Sequence, residues 1–182
     1  MALKSTIFKI NLQISDMDRH YYNDHSFTIA RHPSETDERM MARILIFSLH
    51  AHENLIFTKG LSTDDEPDIW QKNLSGEIDQ WIDLGQPDEK RIRKACGLAR
   101  QVFIYCYSSS SAEIWWNQNH SKLQRFDNLS VINLPATGVQ GLGRLAQRNM
   151  QLNCTIEDGI CWFGDENTTV ELKPITWKSG NN

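Results

Sequence analysis

Residues 102–107, VFIYCY, form an unbroken apolar run bounded by four serines. A run this short and this rich in aromatic and β-branched residues reads as a strand covered on both faces, the kind found where helices flank a parallel sheet. The segments before it agree. In IDQWIDLG, residues 78–85, Asp79, Trp81, Asp83 and Gly85 share one face of a strand, while Ile78, Ile82 and Leu84 point to the other. QPDEKRIRKACGLAR then reads as a helix. Pro87 stands near its first turn, Asp88 and Glu89 at its positive end, and Ile92, Ala95, Cys96 and Ala99 form an apolar stripe. Strand, helix and buried strand in succession place the chain in the α/β class.

The remaining elements extend that frame. Phe8, Ile10, Leu12 and Ile14 alternate with polar residues as in a half-buried strand, and a second strand near Ser26–Ala30 is expected to pair with it antiparallel. HPSETDERMMARILIFSLHAH predicts a helix of about 18 residues, with Ser34 as cap and Asp37 in capping-box position. Its stripe of Met41, Ile44, Leu45 and Leu49 carries Glu38 one turn earlier, and a carboxylate there is costly without a partner. Short strands follow at Leu55–Thr58 and after the turn DDEPDIW. From Ser34 to Tyr107 the order is therefore helix, three strands, helix, strand. Beyond it come a helix over AEIWWNQNH, a strand over LSVINL, a helix over VQGLGRLAQR and strands over QLNCTI, ICWF and TVELKPITW. The expected architecture is a central mixed sheet flanked by helices, with an N-terminal strand pair and C-terminal antiparallel strands. The length of 182 residues suits a single domain, 1–182.

Net charge is −4, which argues against a protein that coats nucleic acid. The average conceals a steep asymmetry. Residues 53–88 hold 2 basic and 9 acidic groups, and residues 89–148 hold 9 basic and 3 acidic, a layout suited to a local phosphate contact. No apolar run is long enough to span a bilayer and the first residues do not read as a leader, so a soluble, cytoplasmic protein is expected. Cys96, Cys106, Cys154 and Cys161 form no CxxC pair and read as structural thiols.

Three acids from separate elements, Glu38, Asp68 and Asp83, are the candidates for chemistry. Carboxylate oxygens suit Mg²⁺, with Mn²⁺ as a substitute, and such an ion activates water and neutralises phosphate charge. The competing reading puts Asp68 in a solvated turn with Asp64, Asp65 and Glu66, and pairs Asp83 with a nearby arginine. The stretches ARHPSETDERMMAR, GLSTDDEPDIW, IDQWIDLGQPDEKRIRKAC, EIWWNQN and NLSV, in this order, resemble the YaeQ family of small bacterial proteins across essentially the whole chain. That resemblance implies a PD-(D/E)XK, restriction-endonuclease-like core, whose helix, three-strand, helix, strand order is the one read above. It also implies Pro67-Asp68 as the PD element, Asp83 as the second acid 15 residues on, and Glu38 as an acid from the first core helix. The chain departs from the nuclease pattern at Gly85, where the strand period calls for the lysine that would stabilise phosphate charge. Lys94 on the following helix, or Arg91 beside it, is then the candidate cation.

Two functions follow from these residues. One is a metal-dependent nuclease acting on DNA or RNA through Asp68, Asp83, Glu38 and Lys94 or Arg91. The other is a catalytically inactive module that binds nucleic acid or protein in a regulatory role. Neither a protein partner nor an oligomeric state is specified by the sequence. Weaker features are His50, His52 and Glu53 near a helix end, which lack further ligands at zinc spacing, and Trp115-Trp116, which could stack bases. GLGRL lacks a full nucleotide-binding fingerprint.

Overall fold

The computed structural model describes residues 3–59 and 64–181. In chain order the elements are β1 (Thr6–Asp16), β2 (Tyr21–Arg31), α1 (Asp37–Leu49), β3 (Leu55–Phe57), β4 (Ile69–Lys72), β5 (Ile78–Leu84), α2 (Glu89–Leu98) and β6 (Ala99–Cys106). They continue with α3 (Ser109–Leu123), β7 (Leu129–Asn133), α4 (Ala136–Gly143), β8 (Asn149–Glu157), β9 (Ile160–Gly164), β10 (Thr169–Leu172) and β11 (Ile175–Lys178). They fall into two compact units, Met1–Ala51 with Thr137–Lys173, and His52–Ala136 with Pro174–Asn182. Residues 60–63 of the GLSTDDEPDIW stretch lie outside the described residues.

The first unit holds a five-stranded sheet in the order β10-β9-β8-β1-β2. Alternation in β1 buries Phe8, Ile10, Leu12 and Ile14 while Lys9, Asn11 and Gln13 stay exposed, as the sequence pattern predicts. The antiparallel β1–β2 pair is present over all eleven residues. On its other side β1 runs parallel to β8, so the first and last thirds of the chain share one sheet. The single central sheet expected from the sequence is thus two sheets, because the strands read as additions to the core pair with each other instead. Segment TVELKPITW also divides. Proline removes a ladder donor at Pro174, and β10 and β11 close the edges of different sheets.

Helix α1 is 13 residues long and its cap is Thr36, whose hydroxyl accepts the Arg39 N–H at 3.2 Å. The expected cap, Ser34, is held instead by His32, its hydroxyl 2.6 Å from Nδ1. From Arg39 to Ser48 every residue of α1 is buried, the two arginines included. Charge compensation comes from Glu35, buried just before the helix, which accepts from Arg39 at 2.7 Å and from Arg43 at 2.5 Å. An isolated arginine in an apolar run, as in MMARILIF, is the sequence signal for such a partner.

The second unit holds a six-stranded sheet in the order β11-β7-β6-β5-β4-β3. Its centre, β5–β6–β7, is parallel, and β3, β4 and β11 add antiparallel edges. VFIYCY lies in the middle strand, with Val102, Ile104 and Cys106 fully buried. Helices α2 and α3 cover one face through Ile92, Ala95, Ala112 and Trp115 against Trp81 and Val102. The helix expected over residues 139–148 is α4, which starts earlier and ends at Gly143. No helix among the described residues is long and apolar enough to cross a membrane.

All four cysteines are free thiols. Burial pushes Cys106, Cys154 and Cys161 up to about 12 and Cys96 up to about 11, so none is a nucleophile near neutrality. Native protein at pH 8 is expected to leave the three buried thiols unreacted with a disulfide reagent, and all four should titrate in denaturant; rapid native modification of Cys106, Cys154 or Cys161 would contradict this burial. Glu35→Ala should cost about 3–5 kcal/mol in urea unfolding, because it removes the one carboxylate that both buried guanidinium groups share. A loss below about 1 kcal/mol would mean that the arginines find water or other acceptors.

Candidate functional site

The acid-bearing face of β5 is covered by a helix. Trp81 lies beneath α2, only 1% exposed, with Ile92 and Ala95 in the same cluster, and Trp70 of β4 meets it edge-on at 6.3 Å. Register places the two strand acids side by side. Ile69 pairs with Ile82, so Asp68 and Asp83 follow as the next neighbours across the antiparallel pair, on the face opposite those isoleucines. They are 6% and 4% exposed, and two adjacent carboxylates so far from water require compensation.

Arg91 supplies it for Asp83. Its Nε–H donates to Oδ2 at 2.9 Å and one terminal nitrogen to Oδ1 at 3.0 Å, the two-pronged arrangement that matches guanidinium to carboxylate. The Trp81 indole N–H adds a third donor to Oδ2 at 3.0 Å. The same guanidinium reaches the Glu66 carbonyl at 2.9 Å and the Asp64 carbonyl at 3.3 Å, which leaves little of its donor capacity unspent. Hydrogen bonding to Asp83 raises the Arg91 pKa further above its ordinary value, so the guanidinium stays charged at any working pH.

Local sequence explains how Arg91 arrives there. After β5 the chain turns through Gly85, Gln86 and Pro87, and Asp88 caps α2 by accepting the Arg91 N–H at 2.8 Å. The cap fixes Arg91 in the first turn, facing back toward the strand end. Pro87 is anchored in turn, because its carbonyl accepts the Trp115 indole N–H at 3.0 Å. Trp115 is thereby a packing residue, while Trp116 stacks on Trp177 at 5.7 Å. Asp68 accepts the Leu84 N–H at 2.8 Å, closing the end of the β4–β5 ladder.

The remaining expected residues are placed as follows. Lys94 pairs with Asp65 at 2.5 Å on the surface, holding that carboxyl below its usual pKa. With Arg91, Lys90, Asp64, Asp65 and Asp88 it lines a cleft of about 550 Å³. Glu38 belongs to the first unit, on the second residue of α1, half-buried with its side chain against Gly143. Gly85 has φ +125°, a conformation that side-chain-bearing residues rarely adopt. The lysine position of the nuclease pattern is therefore a turn position here, past the end of the strand. His52 Nδ1 accepts the Asn54 N–H at 3.0 Å. Among the described residues no group of three or more His, Cys, Asp or Glu side chains is arranged to hold a metal ion. Sequence reasoning had no sign of the Trp81–Asp83 bond, although indole and carboxylate two residues apart on one strand face was the available signal.

Among the described residues, two mixed sheets with four helices, and two neighbouring buried acids of which Asp83 is clamped by an arginine, define the chain as a small mixed α/β protein. Its relatives place it further. The family profile for YaeQ protein matches residues 1–174, and the chain belongs to the YaeQ family. It is 47% identical over 178 residues to "Uncharacterized protein YaeQ" of Escherichia coli (strain K12), and 46% identical over 178 residues to the protein of that name from Salmonella typhi, with 98% of each chain covered. The crystal structure of YaeQ protein from Xanthomonas axonopodis pv. citri superposes with a TM-score of 0.93 at 45% identity, covering 96% of this chain and 99% of that one. For YaeQ protein from Pseudomonas syringae the values are 0.92, 30%, 96% and 97%. The family resemblance carried by the sequence motifs is borne out, and so is the mixed α/β class.

The backbone at Gly85 yields a test. No atom lies within 4 Å of a Cβ placed there, so the penalty for any side chain is conformational and not steric. Gly85→Ala and Gly85→Lys should each cost about 1–3 kcal/mol, nearly equally, in urea unfolding. A Gly85→Lys protein as stable as the parent would show that this turn accepts the nuclease lysine.

Proposed function

We propose that the chain is a nucleic-acid-binding protein on a nuclease-like PD-(D/E)XK core, in which Arg91 stands where a hydrolase would carry its catalytic cation. The observation that carries this reading is the guanidinium fork on Asp83. A Mg²⁺ ion needs carboxylate oxygens that it can ligate directly, and it retains several waters. Here both Asp83 oxygens accept hydrogen bonds from Arg91 and one also accepts from Trp81. Two carboxylates are chemically suited to the ion, but as arranged they do not fit it. The element order β3-β4-β5-α2-β6 within the second unit supports the nuclease-like core, and the turn at Gly85 supports a loss of hydrolysis. Charge supports the partner. Lys90, Arg93 and Lys94 are exposed on α2, a helix flank able to contact phosphates without reading sequence.

A second reading keeps Mg²⁺-dependent phosphodiester hydrolysis, with Asp68 and Asp83 as ligands and Lys94 assisting. Its support is the adjacency of the two buried acids beside a cleft that Lys94 also lines. It requires Arg91 to leave Asp83.

Calorimetric titration with Mg²⁺ and Mn²⁺, alongside cleavage assays on single- and double-stranded DNA and RNA, separates the two. The binding reading predicts no saturable metal binding and no cleavage by the parent protein, with salt-dependent oligonucleotide binding. Arg91→Ala should lose about 2–3 kcal/mol, less than for a fully buried pair because the guanidinium is partly exposed, and should gain Mn²⁺ affinity at the released acids. Metal-dependent cleavage by the parent protein that Asp83→Asn abolishes would establish the hydrolase instead.

A further inference from the structure

From the open face of the first unit's sheet, we infer a binding site for an uncharged oligosaccharide, independent of the acid pair and of any nuclease-like activity. On this face β1 and β8 present Asn11, Gln13, Asn149, Gln151 and Asn153, all exposed. Parallel register sets Asn11 beside Gln151 and Gln13 beside Asn153, so side-chain amides form a block on two interior strands. Asparagine is disfavoured in strands, where Thr or Val would pack better. Departures from local preference concentrated on one face are the mark of a functional surface.

The flanks add the rest. The next row runs Trp162, Thr155, Ser15, Tyr22 across four strands, which puts an aromatic ring at each end about 14 Å apart. Tyr22 is 61% exposed. Two shallow grooves of about 380 and 480 Å³ follow the amide block and share Asn11, Ser26 and Gln151.

Charge decides among ligands. Lys9 is outnumbered on this face by Asp24, Glu157 and Glu171, and Glu166 stands at the groove rim, so the described strand residues offer no cationic track for a phosphate backbone. A protein partner would need an apolar anchor at the centre, where amides and hydroxyls stand instead. Side-chain amides both donate and accept, as sugar hydroxyls do, and aromatic faces suit the C–H surfaces of pyranose rings. A neutral polyhydroxylated chain matches the amide block and its aromatic flanks.

The side-chain amide resonances of Asn and Gln in ¹⁵N-labelled protein report the contact directly. The probes are maltohexaose, cellohexaose and chitohexaose, with oligothymidylate as polyanion and protein dilution as a check for self-association. The inference predicts saturable shifts of the Asn11, Gln151 and Asn153 amides with at least one neutral hexasaccharide and none with oligothymidylate or dilution. Asn11→Thr with Gln151→Thr should weaken binding about tenfold or more while leaving the urea midpoint unchanged or raised. Absence of saturable shifts with all three sugars, shifts caused by oligothymidylate or by dilution, or a lowered midpoint in the double variant would each overturn it.

Discussion

Two carboxylates removed from water on neighbouring strands are stable only if something cationic or hydrogen-bonding meets them, and in this protein the second unit is organised around that demand. Arg91 answers it with a planar fork that no lysine could supply. The guanidinium is not a passing surface contact. It also holds carbonyls of residues 64 and 66, so the acidic turn, the strand end and the start of α2 are fastened at one side chain. Removing Arg91 would take hydrogen bonds from both the acidic turn and Asp83 at once.

The clamp depends in turn on the backbone between β5 and α2. Gly85 takes a positive φ, its N–H still reaching Tyr105 of β6 at 2.8 Å, and the chain then reverses quickly enough for Asp88 to begin the helix. A residue confined to ordinary φ at this point would move the cap, and with it the register of Arg91 on the helix. The absence of a lysine on the strand and the presence of an arginine on the helix are thus one structural solution, reached through a glycine turn.

Much of the second unit was legible because its signals are local. The alternation in IDQWIDLG, the unbroken run VFIYCY and the proline-acid start of α2 each name their element without reference to distant residues. Pairing across the chain was not legible in this way. Nothing in the pattern of β1 says that its second neighbour is β8, more than a hundred residues later, so the two-sheet division escaped a reading that had every strand nearly in place. The Glu35–Arg39–Arg43 network was missed because Arg39 and Arg43 look like a solvated helix flank until the helix is seen to be buried all round. At the site, residue type and spacing single out Asp68, Asp83 and Arg91, and allow Asp83 to pair with either a metal or an arginine. Which partner holds the acid is a matter of cap geometry, and that lies beyond composition and spacing.

The central claim is that Arg91, not a divalent ion, satisfies Asp83. The Arg91 side-chain Nε–H resonance tests this most directly in the parent protein titrated with Mg²⁺ and then Mn²⁺. If the clamp holds, that proton exchanges slowly with solvent, keeps its chemical shift throughout the Mg²⁺ titration and shows no paramagnetic broadening beyond that of other surface arginines in Mn²⁺. A saturable shift with Mg²⁺, accompanied by fast exchange and selective broadening with Mn²⁺, would show the ion displacing Arg91 and would contradict the account.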